Sequence, residues 1–153
     1  MFTRYVPALV LALAAGGGGD SGGTHSMATP DAAATAATAG GALTPAAGGR
    51  IITVEMITDD KGSYFQPANI EAHRGDVVRF ILKSGVHNVN FLPDSNAGRS
   101  GLPAPSPFLQ LPDQTHDMAV GLAAGDYFFQ CDPHAALGMV GKLEVEEERD
   151  QDG

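Results

Sequence analysis

Residues 125–142 read Gly125-Asp126-Tyr127-Phe128-Phe129-Gln130-Cys131-Asp132-Pro133-His134-Ala135-Ala136-Leu137-Gly138-Met139-Val140-Gly141-Lys142 and carry the strongest structural signal in the chain. Tyr127, Phe129 and Cys131 alternate along it, which predicts a strand with these three side chains on one buried face. A thiol, an imidazole and a thioether then occur within nine residues of one tight loop. These are soft and borderline donors, which suit copper better than magnesium or calcium.

A second imidazole, that of His87, lies 44 residues before the cysteine in the run His87-Asn88-Val89-Asn90-Phe91. Two imidazoles and one thiolate make a trigonal donor set, and a methionine can add a long axial ligand, which is the composition of a blue-copper electron-transfer centre. The sequence thus predicts a single copper ion bound by His87, Cys131, His134 and Met139. The remaining histidines, His25, His73 and His116, are expected at the surface.

Short apolar runs separated by Gly, Pro, Asn and Asp predict a β protein. Strands are expected at residues 51–58, 64–65 together with 70–72, 77–82, 86–92, 127–131 and 140–145, with a further candidate at 115–120. Residues 93–112 hold five prolines and are expected to form a long loop with a short helical turn. This spacing of strands is typical of an antiparallel β-sandwich of about a hundred residues.

Composition limits what surrounds this domain. A chain of 153 residues with one cysteine holds one ordinary domain, without an internal disulfide or a zinc-finger or iron-sulfur cysteine set. A net charge of -9 argues against binding nucleic acid. Residues 1–15 resemble an export signal, too short to span a bilayer. The composition of residues 16–49 predicts a disordered Gly/Ala/Thr-rich tether. The folded domain is expected at residues 50–145, and a solvated acidic tail at residues 146–153. Whether the protein is anchored to a membrane is left open.

Three motifs in order resemble the cupredoxin family of type 1 blue-copper proteins, most closely its plastocyanin and pseudoazurin branch. They are Phe65-x-Pro67 with Gly75-Asp76-x-Val78 and Phe80; His87-Asn88-Val89 leading to Phe91; and the Cys131-x2-His134-x4-Met139 loop. The resemblance covers about residues 50–145. It implies a Greek-key β-sandwich in which the four predicted donors converge on one copper at the end of the barrel, and in which Asn88 ties the two ligand-bearing loops together.

The resemblance also implies where partners dock. In the family, redox partners approach the C-terminal ligand histidine, here His134, across an apolar rim that Ala135, Ala136 and Leu137 would form. Plastocyanins commonly carry tyrosine immediately before the cysteine, whereas this chain has Gln130. A second electron route through that position is therefore not expected.

The hypothesis that follows is a monomeric carrier of single electrons between redox partners outside the cytoplasm, in the periplasm or at the cell surface, rather than an enzyme. The alternative is a protein that stores or delivers copper without redox turnover. An enzyme with Cys131 as nucleophile and His134 as base is a third possibility, but the sequence shows no orienting group or oxyanion motif for it.

Overall fold

The computed structural model describes residues 41–147, which form two β-sheets with the core between them. The first sheet has the order β2-β1-β4-β5 and the second the order β3-β7-β6. The strands are β1 (Ile51–Asp59), β2 (Gly62–Gln66), β3 (Asn69–His73), β4 (Val77–Leu82), β5 (Thr115–Ala119), β6 (Gly125–Gln130) and β7 (Val140–Glu146). The predicted β-sandwich is confirmed, including the candidate strand that became β5.

Two of the strand pairs run parallel. β1 pairs with β4 and β3 pairs with β7 in this way, so both sheets are mixed, and the expected antiparallel pairing holds for β1–β2, β4–β5 and β6–β7. The chain leaves the first sheet to form β3 and then returns beside β1 as β4. The alternation of side chains along a strand reports which face is buried but not the direction of the neighbouring strand.

Aromatic rings fix the strand that leads to the cysteine. The ring centroid of Phe129 lies 4.9 Å from that of Phe65, 5.7 Å from that of Phe80 and 5.4 Å from that of Phe91. Such ring pairs contribute about 0.5–1.5 kcal/mol each beyond their buried area. On the adjacent β7, a side chain at Gly141 would collide with the Phe129 ring, so glycine is needed there. Tyr127, Phe129 and Cys131 are all buried, as their alternation predicts.

The segment 86–92 is not a regular strand, and this prediction is wrong. Its backbone makes isolated bridges instead, from His87 to Leu109 and from Asn90 to Gln130. Between them the Val89 N–H donates to the hydroxyl of Ser106 at 2.8 Å. The segment takes its partners from the 93–112 loop on one side and from β6 on the other, which local sequence does not reveal. That loop does contain the predicted short helical turn, a 3-10 turn at Pro93–Asn96.

The folded unit begins before the predicted boundary at residue 50. The Leu43 N–H donates to the carboxylate of Asp117 at 2.8 Å, and the Ala46 N–H donates to the Gly75 carbonyl at 2.8 Å. At the other end, β7 extends to Glu146, one residue past the predicted domain boundary at residue 145. The predicted leader, most of the tether and the end of the tail lie outside residues 41–147. Within those residues, no helix has the length and apolar character needed to cross a membrane.

Candidate metal centre

The three predicted nitrogen and sulfur donors come from two segments of the chain. His87 lies in the extended segment after β4, and Cys131 directly follows β6. His134 lies in the 3-10 turn Asp132–Leu137, where its N–H donates to the Cys131 carbonyl at 3.1 Å. The turn ends at Gly138 with a φ of 95°, a left-handed conformation that favours glycine. The chain then passes through Met139 into β7.

Their donor atoms form a small triangle. The Nδ1 atoms of His87 and His134 lie 3.2 Å apart, and the Cys131 Sγ lies 3.5 Å from the first and 3.4 Å from the second. The point that lies in the plane of the three atoms and is equidistant from them is therefore about 1.9 Å from each. Nitrogen and sulfur ligands bind a divalent transition-metal ion at roughly 2.0–2.3 Å. The triangle thus fits one such ion after shifts of a few tenths of an ångström.

Burial controls the protonation of the donors. The side chains of His87 and Cys131 are inaccessible to solvent, and His134 is partly exposed. Burial, with a smaller contribution from nearby His134, lowers the pKa of His87, so its imidazole is neutral at pH 7. Burial raises the pKa of the Cys131 thiol. A metal ion must therefore displace a proton from sulfur but not from His87.

The other ring nitrogen of His87 points away from the triangle. Its Nε2 lies 2.9 Å from the carbonyl oxygen of Ser84, which can only accept a hydrogen bond. The proton of the neutral ring is thereby held on Nε2, and the Nδ1 lone pair faces the other donors. Sequence reasoning missed Ser84, because a carbonyl acceptor leaves no signal in residue identity.

Asn88 spans the gap between the two donor-bearing segments. Its Oδ1 accepts from the Asp132 N–H at 2.8 Å, and its Nδ2 donates to the Asp132 carboxylate at 2.7 Å. That carboxylate also accepts from Asn90 and Gln130. Hydrogen bonds from Gln130 and Asn88 lower the pKa of Asp132. The sequence analysis predicts no role for Asp132, although its position beside the cysteine is a signal for one.

Met139 lies in the same loop and is buried. Its carbonyl accepts from the Cys131 N–H at 3.1 Å, and its N–H donates to the His134 carbonyl at 3.1 Å. The backbone of Met139 is thus fixed to both neighbouring donor residues, while its role as an axial ligand stays a prediction. His73 in β3 and His116 in β5 do not belong to the donor cluster, but both are half-buried rather than fully at the surface. His25 lies outside the described residues.

Comparisons with known proteins agree with this geometry. A family model described as copper binding proteins of the plastocyanin/azurin family matches residues 52–146. A chloroplastic plastocyanin of Chlamydomonas reinhardtii is 34% identical over 110 residues, covering 69% of this chain and 73% of the relative. A plastocyanin of Nostoc punctiforme is 33% identical over 110 residues, which cover 67% of this chain and 79% of the relative. The structure of oxidised plastocyanin from the fern Dryopteris crassirhizoma matches with a TM-score of 0.52 at 31% identity. The match covers 61% of this chain and 99% of the fern protein.

Proposed function

Because the chain belongs to the plastocyanin/azurin family of copper-binding proteins, we propose that it carries single electrons between redox partners. His87, Cys131, His134 and Met139 would hold one copper ion, which supplies a one-electron Cu(II)/Cu(I) couple when bound. The observation that carries the proposal is the convergence of two imidazoles and a thiol, from segments far apart in the chain, within 3.5 Å of one another.

The way in which the donors are held favours a carrier over a protein that stores or delivers copper. Backbone hydrogen bonds join Cys131, His134 and Met139 into one loop, and Asn88 ties that loop to the His87 segment. Small ligand movements keep the barrier to electron transfer low, whereas handing copper to another protein requires the donors to open. Because His87 and Cys131 are inaccessible to solvent, an ion held between them would be shielded from a substrate, which favours a carrier over an enzyme.

Electrons would enter and leave at the edge of His134, the one donor of the three with exposed surface. Large apolar side chains are exposed at positions adjacent to the site. Val86 precedes His87, Phe108 precedes Leu109, which is bridged to His87, and Leu137 ends the His134 turn. Their exposed fractions are 46%, 48% and 77%. With the predicted rim of Ala135 and Ala136, they offer an apolar surface suited to brief encounters with redox partners.

The location that we propose is outside the cytoplasm. It is supported by the predicted export signal at residues 1–15, with its short apolar core behind one positive charge. The partners would accordingly be other exported or membrane-bound redox proteins.

The test is voltammetry of the copper-loaded full chain, combined with a chelator challenge. A carrier should give a reversible one-electron wave and keep its copper through many cycles. Irreversible reduction, or loss of the ion to a chelator within minutes, would instead establish storage or delivery.

Docking has its own test. Leu137→Asp should slow electron self-exchange between two copies by about tenfold, because the introduced carboxylates would face each other at the contact. The matched control is Leu43→Asp, an exposed leucine outside this surface. Equal self-exchange rates for the two variants would refute docking at Leu137.

A further inference from the structure

A hydroxyl network lies behind the ring of His87, on the side away from the donor triangle. The Nε2 of His87 is 3.0 Å from the Oγ1 of Thr58, in addition to its contact with the Ser84 carbonyl. Thr58 lies near the end of β1, and its Oγ1 is 2.8 Å from the Oγ of Ser63 on β2. The network thus reaches from a solvent-inaccessible donor residue to the β1–β2 hairpin.

The direction of these hydrogen bonds follows from the ring. Because Nδ1 faces the other donors, the proton of the neutral imidazole is on Nε2, and this N–H donates. The Thr58 hydroxyl therefore accepts at His87, sharing the ring N–H with the Ser84 carbonyl. Its own proton is then available for the Ser63 oxygen. The hydrogen bonds thus run in one direction, from the His87 ring to Thr58 and from Thr58 to Ser63.

Thr58 is itself fixed in place. Its backbone N–H donates to the Ser84 hydroxyl at 2.8 Å, and that hydroxyl donates back to the Thr58 carbonyl at 2.7 Å. Gly85, with a φ of 88°, lies so close that an added Cβ would be 2.8 Å from the Nε2 of His87. The ring edge is therefore enclosed by β1 on one side and the 84–85 turn on the other, with little freedom to rotate.

We propose that Thr58 is a positioning residue for His87: its hydroxyl fixes the orientation of the ring and favours the oxidised form of the bound copper. A ring whose N–H donates to an additional acceptor is more basic at its other nitrogen. The more basic Nδ1 stabilises Cu(II) more than Cu(I). The inference rests on the proposed copper site, and it adds a residue of β1 that lies outside the donor loops.

The experiment compares Thr58→Val, which keeps the shape of the side chain but loses the hydroxyl, with Thr58→Ser, which keeps the hydroxyl. Thr53→Val is the matched control, since Thr53 is an exposed threonine of the same strand. Thr58→Val should lower the affinity for Cu(II) relative to Cu(I) by about three- to tenfold. This is less than the roughly 10–100-fold that losing such a partner typically costs, because the Ser84 carbonyl still accepts from Nε2. A change of about three- to tenfold raises the reduction potential by about 30–60 mV. The two other variants should match the wild type.

A second measurement needs no copper. Nitrogen NMR of the apo full chain should show the His87 Nε2 proton exchanging with water faster in Thr58→Val than in Thr58→Ser. An unchanged potential and unchanged proton exchange in Thr58→Val would overturn the inference, as would equal changes in Thr58→Ser. If the wild type itself lacks a reversible copper couple, the proposed function fails instead, and the proton exchange still decides whether Thr58 holds the ring.

Discussion

Replacing Asn88 with alanine tests whether the two donor segments are joined by one side chain. The change removes a hydrogen bond from the Asp132 N–H and a shorter one to the Asp132 carboxylate, at 2.8 and 2.7 Å. A neutral hydrogen bond contributes about 1 kcal/mol and one to a charged group about 1.5–3 kcal/mol. Because Asp132 keeps two other side-chain donors, we expect a loss of about 2–3 kcal/mol in the free energy of unfolding.

The assay is urea unfolding of the apo full chain at pH 7, with Asn90→Ala as the matched control. Asn90 donates to the same carboxylate, but at 3.1 Å and through exposed hydrogen bonds, so its loss should cost only about 0.5–1 kcal/mol. With copper bound, Asn88→Ala should also release the ion about tenfold faster. Equal destabilisation by the two variants would refute the assignment of Asn88 as the link.

Further predictions concern ionisation. Arg79 holds Asp117 through two hydrogen bonds of 2.8 Å and lowers its pKa, so Asp117→Asn should cost about 2 kcal/mol at pH 7. A carboxyl group whose pKa is lowered on folding stabilises the fold above about pH 4, and this stabilisation is lost as the pH falls through the lowered value. The difference in free energy of unfolding between Asp117→Asn and the wild type should therefore be smaller in urea titrations at pH 3 than at pH 7. An equal difference at both pH values would contradict this prediction. Because burial raises the pKa of the Cys131 thiol, copper binding should release about one proton at pH 7, and its apparent affinity should rise about tenfold per pH unit. Calorimetry in buffers of different ionisation enthalpy measures this release, which Cys131→Ser should abolish.

The sequence predicts that His87, Cys131 and His134 come together, because the chemistry is concentrated in few residues. Cys131, His134 and Met139 share one loop, and the predicted partner His87 indeed brings its Nδ1 within 3.5 Å of the sulfur. The strands follow from alternation, because a buried face repeats every second residue. Tertiary pairing is not local: the bridges that replace a strand at 86–92 depend on the distant Leu109 and Gln130. The contact between the Thr58 hydroxyl and His87, 29 residues later in the chain, cannot be predicted from local sequence for the same reason.

The most direct test of the copper site is the absorption and electron-spin spectrum of the purified full chain after one equivalent of Cu(II) is added. We expect an intense thiolate-to-copper band near the red end of the visible spectrum, saturating at one ion per chain and absent from Cys131→Ser. A colourless complex, or a band that persists in the serine variant, would contradict it.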